Sequence, residues 1–486
     1  MALPVRAGRL IYTLAVVRPR LAAYLLAAAL SGGLAHSVYQ VPIQVADALD
    51  AILIGARARS SAQLFTAASG FSDTTLRPMR YLQARWLVQA ADGAGIKYTA
   101  VFRGVHAALV VLLFLVFVCA LRVRTWLDFC AAAIPLTVLA GLHTSLGTMR
   151  EGFPVNHFAE IALSALVVLG IARGRPAWWK GPVAVTLLAF SLLLIESGAL
   201  VWLVIVTCAW FRLAGISRRT AVVATAVLAL YAGGRFQLGI SAPGIGESGS
   251  GYGDTFYSGD ELRDRFGGAP AAFRAYNVVG GMASMLMSEP RYGVYQTVAI
   301  WNGAEMHPVL VVNMLSSLLI TAVIAWYVVG RRRTVWRDWT EEDRVVAVSL
   351  AVVLVNALMT TSYIKDEILS VAGAFYAIAA YISIRAMLQR ITDAPPRWPA
   401  LVVLTVLLVA AGALWAFRAV GAHFQLRQTA FNTRNEWTDV LPPRRPAGSE
   451  DEAGSRLTRR LKDEALMHRG VSTRDLPAWG ERYWVE

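Results

Sequence analysis

Two aspartates three residues apart, Asp47 and Asp50 in Val45-Ala-Asp-Ala-Leu-Asp50, form the first pair in this chain whose types and spacing suit chemistry. On a helix that spacing puts both carboxylates on one face. Paired carboxylates can serve as a general base for a hydroxyl, or hold a divalent cation against a phosphate or pyrophosphate. They also suit an ordinary solvated helix start, where the helix dipole favours acids. Further on, Arg77 stands directly before Pro78 and Arg80 follows one turn later. A planar guanidinium there can be presented to a phosphate while the proline fixes the chain direction; the plainer reading is two arginines snorkelling beside lipid headgroups. His106 closes Phe102-Arg-Gly-Val-His106 at the start of an apolar run, and Glu196 lies inside the apolar Leu194-Ile-Glu-Ser-Gly198. An ionisable residue in such a stretch is costly and is a functional candidate by default, although Glu196 suits a helix cap equally well. Lys365, next to Asp366 and Glu367, can either meet a phosphate or pair with its neighbours.

The elements that must hold these residues follow from composition. Of the 486 residues 56% are hydrophobic, and the mean hydropathy is +0.50, more apolar surface than a water-soluble fold hides in its core. The formal charge of +14 would suggest nucleic acid in a soluble protein, but the basic residues fall in short connections between apolar runs. That is the positive-inside pattern of membrane insertion, and it excludes a nucleic-acid role. Windows of about 20 apolar residues, the length that spans a bilayer, occur near 21–39, 103–121, 126–145, 157–172, 181–195, 197–213, 219–236, 308–330, 345–362, 367–385 and 398–417. With the first window starting inside, Arg122 and Arg124, Arg173 and Arg175, Arg218 and Arg219, Arg331 to Arg333, and Arg385 with Arg390 all stay inside. Count and orientation therefore support each other. The fold class expected is an all-α polytopic membrane protein with about eleven transmembrane helices.

The outer side then receives a first loop at 40–102, a turn near 146–156, a long loop at 237–307, a tight turn at 363–366 and a tail from 418 to 486. Residues 1–417 make up the transmembrane domain. Helical spacing of Val45, Leu49, Ile52 and Leu53, and of Tyr81, Leu82, Trp86 and Leu87, predicts amphipathic helices in the first loop. Ser241 to Gly253 reads as a Gly- and Ser-rich loop, and the tail reads as polar, broken at Pro442 and Pro443, with a charged helix over Glu450 to Met467. His143, Arg150, Asn156, His157 and Glu160 gather around the second outward turn and can line a polar pocket or simply pack there. The long loop offers Tyr252, Asp254, Tyr257, Asp260, Glu261, Arg263 and Arg265 for hydrogen bonding and stacking. Cys119, Cys130 and Cys208 lie in or beside apolar runs without metal-ligand spacing and read as packed thiols. The arginine-flanked first window lacks a small-residue cleavage site and reads as an uncleaved helix.

Taken in order, a first helix, an acidic pair, an Arg-Pro element, an amphipathic stretch and a His opening the second helix resemble the GT-C superfamily of membrane glycosyltransferases. Asp47 and Asp50 match that family's acidic motif in the first outer loop, Arg77 and Pro78 its Arg-Pro turn, and His106 its helix-opening His. Glu196 matches the glutamate of a Lys-Glu pair found at an outer turn, with Ile195 where the family has Lys. The resemblance covers roughly the first 215 residues. It implies an enzyme of a bacterial inner membrane, N-terminus cytoplasmic and C-terminus periplasmic, that moves a sugar from a polyprenyl-phosphate carrier to a periplasmic glycan, lipid or protein. Displacement at the anomeric carbon would invert it, with Asp47 or Asp50 as base or acceptor guide. Arg77, His106, Glu196 and Lys365 would serve the donor and its phosphate. No metal site is specified, and a divalent cation is compatible with the acidic pair without being required. Three other readings compete: an O-antigen polymerase or ligase type, for which Arg263, Arg265 and Arg274 would be the basic groups; a transporter or flippase of lipid-linked substrates; and a catalytically silent scaffold of the same architecture.

Overall fold

Apolar runs with few interior breakers can satisfy their backbone in lipid only as helices, and the computed structural model of the chain is almost entirely helical. It describes residues 3–45, 47–65, 77–150, 156–237, 250–252, 255–266, 270–287, 300–306, 308–334, 336–393, 398–440 and 452–467. Before the long loop come α1 (Leu3–Tyr39), α2 (Asp47–Arg57), α3 (Pro78–Ala94), α4 (Tyr98–Leu121), α5 (Trp126–Gly141), α6 (His143–Arg150), α7 (His157–Ala172), α8 (Lys180–Leu194), α9 (Ala199–Trp210) and α10 (Arg218–Gln237). Within and after it come α11 (Gly259–Phe266), α12 (Pro270–Met287), α13 (Pro308–Arg331), α14 (Glu341–Leu358), α15 (Ser370–Asp393), α16 (Trp398–Asp439) and α17 (Glu452–Met467).

Among the described residues five helices are long and apolar enough to cross a membrane, or six if α5 and α6, bent by 47° at Leu142, count as one span. Helices α7, α8 and the Glu196–Trp210 stretch are apolar but shorter. The window around α15 is 94% buried, against 22% for that of α16, so α15 is the central helix and α16 lies on the periphery. Small residues explain the central place: Ala372, Gly373, Ala374, Ala377, Ala379 and Ala380 let neighbours approach closely. Gly147 of α6 lies flush against the turn before α15, where an added Cβ would stand 2.9 Å from the Glu367 amide.

Two sequence expectations change. The helix over the window near 398–417 does not end there: α16 runs to Asp439, past Gly421, with no proline until the Pro442-Pro443 pair, which lies outside the described residues. The fold is also not purely helical. Strands β1 (Ser250–Tyr252) and β2 (Thr255–Tyr257) pair antiparallel, and β1 pairs parallel with β3 (Tyr363–Ile364), Gly251 opposite Tyr363. Extended aromatic and Thr residues thus tie the long loop to the tight turn that carries Lys365.

The arginine-rich connections collect at one end of the bundle. The acidic first turn of α14 organises them: Glu341 accepts from Arg122 (2.8 Å) and Arg173 (2.7 Å), and Asp343 faces Arg331 (3.1 Å). Arg385 bridges Asp128, at 2.6 Å, and Glu342. Thr125 with Asp128 and Thr340 with Asp343 form capping boxes that start α5 and α14 at this end.

At the other end the first loop and the tail make one small unit. Ile43, Leu49, Ile52, Val88, Phe102 and Leu461 share a buried cluster that joins α2, α3 and the start of α4 to α17. Glu464 of α17 accepts from the backbone amides of Tyr98 (3.0 Å) and Thr99 (2.8 Å), satisfying two donors at the start of α4 that its own helix cannot. Trp437 Nε1 donates to the Ile43 carbonyl (2.6 Å), fixing the end of α16 to the same unit.

Candidate functional site

Pro78 sits in the first turn of α3, where its missing N–H costs nothing, and Arg77 is the residue before it. From there Arg77, Arg80 and Gln83 recur every three residues along the edge of α3 that meets the start of α7 and the end of α8. The turn after α8 supplies Glu196, which opens a short 3-10 segment, Glu196–Gly198. Arg77 grips its carboxylate in a two-pronged way, Nη2 to Oε2 at 2.7 Å and Nε to Oε1 at 3.3 Å, across 119 residues of sequence. From the end of α10, Arg235 donates through Nη1 to Glu196 Oε1 and, at 3.0 Å, to the Tyr231 hydroxyl. The guanidiniums are mostly buried, while Glu196 keeps 26% of its side chain exposed. Burial alone would raise the carboxyl at this turn; Arg77 and Arg235 outweigh it and hold the group below the ordinary carboxylate range, at about 2.

One step along α3, Gln83 Nε2 donates to Glu160 Oε1 at 2.7 Å, and Glu160 Oε2 lies 3.4 Å from His157 Nδ1. Arg77 and Arg80 are the charged groups that face the His157 ring, so the Glu196 cluster and the Glu160 cluster adjoin. Glu160 is reached because Asn156 caps α7, its side-chain oxygen accepting from the Ala159 amide at 2.9 Å.

The other sequence candidates lie elsewhere on this end. His106 is fully buried, its Nδ1 3.1 Å from Arg103 Nη1 and its Nε2 2.8 Å from Asn156 Nδ2. Arg103 in turn donates to the carbonyls of Val41 (2.7 Å) and Pro42 (2.6 Å), so this group anchors the chain as it leaves α1. Lys365 pairs with Glu367 at 3.5 Å and lies over the Tyr363 ring. Beside it, His143 Nε2 is 2.6 Å from Ser284 Oγ and 3.8 Å from Asp366 Oδ1. Asp50 is exposed on α2 and forms no hydrogen bond or ion pair with a described residue. Asp47 begins the same helix, and its side chain lies outside the described residues, as do Asp254 and all of Ser241–Gly253 before β1. Among the described residues no three His, Cys, Asp or Glu gather closely enough to hold a metal ion.

In comparisons with known proteins no family model matches this chain, and neither a curated protein nor a solved structure matches it.

Function has therefore to be argued from the site itself. Arg77 and Glu196, named from the sequence on separate grounds, are brought into direct contact, whereas His106, Lys365 and Asp50 stand in separate surroundings. Arg235 and Gln83 were missed. The signal for Arg235 was present as a lone cation ending an apolar run in Ala232-Gly-Gly-Arg235; Gln83 was detectable only as the third member of the three-residue spacing from Arg77. Chemically, three guanidiniums at 77, 80 and 235 against two carboxylates at 160 and 196 leave surplus positive charge in this cluster, suited to an anion with a carboxylate alongside.

Proposed function

We propose that this chain is an integral-membrane glycosyltransferase that passes a sugar from a polyprenyl-phosphate carrier to an acceptor on the outer, periplasmic face. The observation that carries the reading is the convergence of Arg77 and Arg235 on Glu196 at an outer turn, with Glu160 adjoining. A donor with an isoprenoid tail stays in the bilayer, so its phosphate must be met where helix ends reach water. Guanidiniums held there by Glu196 would offset charge developing on the leaving phosphate, and Asp47 and Asp50 on α2 would guide the acceptor.

The topology we read is eleven spans: α1, α4, α5 and α7 to α10 before the long loop, and α13 to α16 after it. Their alternation, which gathers the arginine-flanked ends around Glu341 and Glu342, supports it, with the N-terminus in the cytoplasm and α17 outside. Purified protein incubated with a panel of polyprenyl-phosphate sugars is expected to consume one of them. Absence of both turnover and binding for every donor would overturn the reading.

A second reading, a transporter of lipid-linked substrates, draws on Arg418. It is buried within α16, stacked on Trp415 at 3.9 Å, with Nη1 donating to the hydroxyls of Ser316 (2.9 Å) and Ser317 (3.1 Å). A cation inside the bundle is the kind of group transport pathways use. Substrate flux in proteoliposomes without covalent product would favour it.

A further inference from the structure

The two carboxylates facing α3 are held in opposite ways. Glu196 is committed: both oxygens accept from guanidiniums, and a carboxylate so paired cannot readily take up a proton. Glu160, more fully withdrawn from water than Glu196, meets no guanidinium or ammonium among its hydrogen-bond and ion-pair partners in the described residues. Its Oε1 is fixed by the amide of Gln83, and among the described residues its Oε2 has only the long 3.4 Å contact with His157, which leaves lone-pair capacity on that oxygen. Asp50, by contrast, is exposed and contacts none of the cluster.

From this geometry we propose that Glu160 is the proton acceptor for the incoming hydroxyl, an assignment that rests on the sugar-transfer reading above. Oε2 takes the proton of the acceptor O–H as the acceptor oxygen bonds to the anomeric carbon. The bond from that carbon to the phosphate oxygen breaks, and its electron pair leaves with the polyprenyl phosphate, whose added negative charge faces Arg77 and Arg235. The proton on Glu160 then returns to water. Gln83 acts as a positioning residue: held by α3, it keeps Oε1 turned away and Oε2 presented. The arrangement divides labour between two glutamates, one holding the cations and one handling the proton.

The test uses the full chain in nanodiscs with polyprenyl-phosphate sugar donors, and measures kcat, KM and donor binding for wild type, Glu160→Gln and Glu160→Asp. Glu160→Gln keeps the shape and a partner for Gln83, so it is expected to bind donor normally while kcat falls on the order of 10²–10⁴-fold. Glu160→Asp, which keeps the carboxylate, is expected to recover part of that loss. An active wild type with an equally active Glu160→Gln variant overturns the assignment alone. So does loss of donor binding shared equally by both variants, which marks a structural role. A wild type inert towards every donor overturns the transfer reading and the assignment together.

Discussion

The two ends of the bundle use the same residue types for opposite purposes. At the end gathering Arg122, Arg173, Arg331 and Arg385, each arginine pairs with an acid in the first turn of another helix, and the first three follow or end a helix, where both dipoles welcome the charge. Several of these groups are open to water; Glu341 is 44% exposed, and its bridges are the weak surface kind. At the opposite end Arg77, Arg235 and Glu196 sit at turns with little water, and Glu160 adjoins without a cation of its own. The first arrangement orients and fastens helices. The second concentrates charge where removing any one member leaves the others exposed to an uncompensated environment, a condition that suits chemistry more than fastening.

That contrast can be broken most sharply at Arg77. Arg77→Ala is expected to lower kcat/KM on the order of 10²–10³-fold, while Arg122→Ala at the far end leaves turnover intact; equal losses in a donor-consumption assay would erase the distinction. Next in size, Glu196→Gln leaves two guanidiniums facing one another and is expected to cost about 3 kcal/mol, near the low end for a buried pair, seen in the thermal midpoint. Because the Glu196 carboxyl is depressed to about 2 from an ordinary 4.5, the wild-type advantage should be full above about pH 4.5 and vanish as pH falls towards 2. A gap that widens on acidification would contradict the ion-pair account. Thr125→Ala removes the capping box of α5 and should cost about 1 kcal/mol without touching turnover. Smallest of all, Glu341→Gln should change stability by less than about 1 kcal/mol, and 1 M salt should remove the difference.

Much of this layout is readable in the residues, but unevenly. That the arginines of these connections would gather together was legible from where they fall between apolar runs. Helices in the first loop followed from the spacing of Val45, Leu49 and Ile52. The contact of Arg77 with Glu196 did not, since 119 residues separate them and only the packing of α3 on α8 closes the gap; each could be named, but not paired. Arg235 reaches Glu196 from a different helix, α10, and no local motif encodes that. The small sheet escaped for a similar reason: Tyr363 and Ile364 are too short a run to announce a strand, and their partner strand lies more than a hundred residues earlier. The length of α16 was missed because apolar content, which marks a span, stops near residue 417 while helix-forming residues continue to Asp439.

The grip of Glu464 on the amides of Tyr98 and Thr99 gives the molecule an order of completion. A ribosome reaches residue 464 only after every preceding helix has been made, so until then the first turn of α4 lacks the partner that takes its two amides. The unit that includes α2 is thus the last to be finished, although its first residues are among the earliest to emerge.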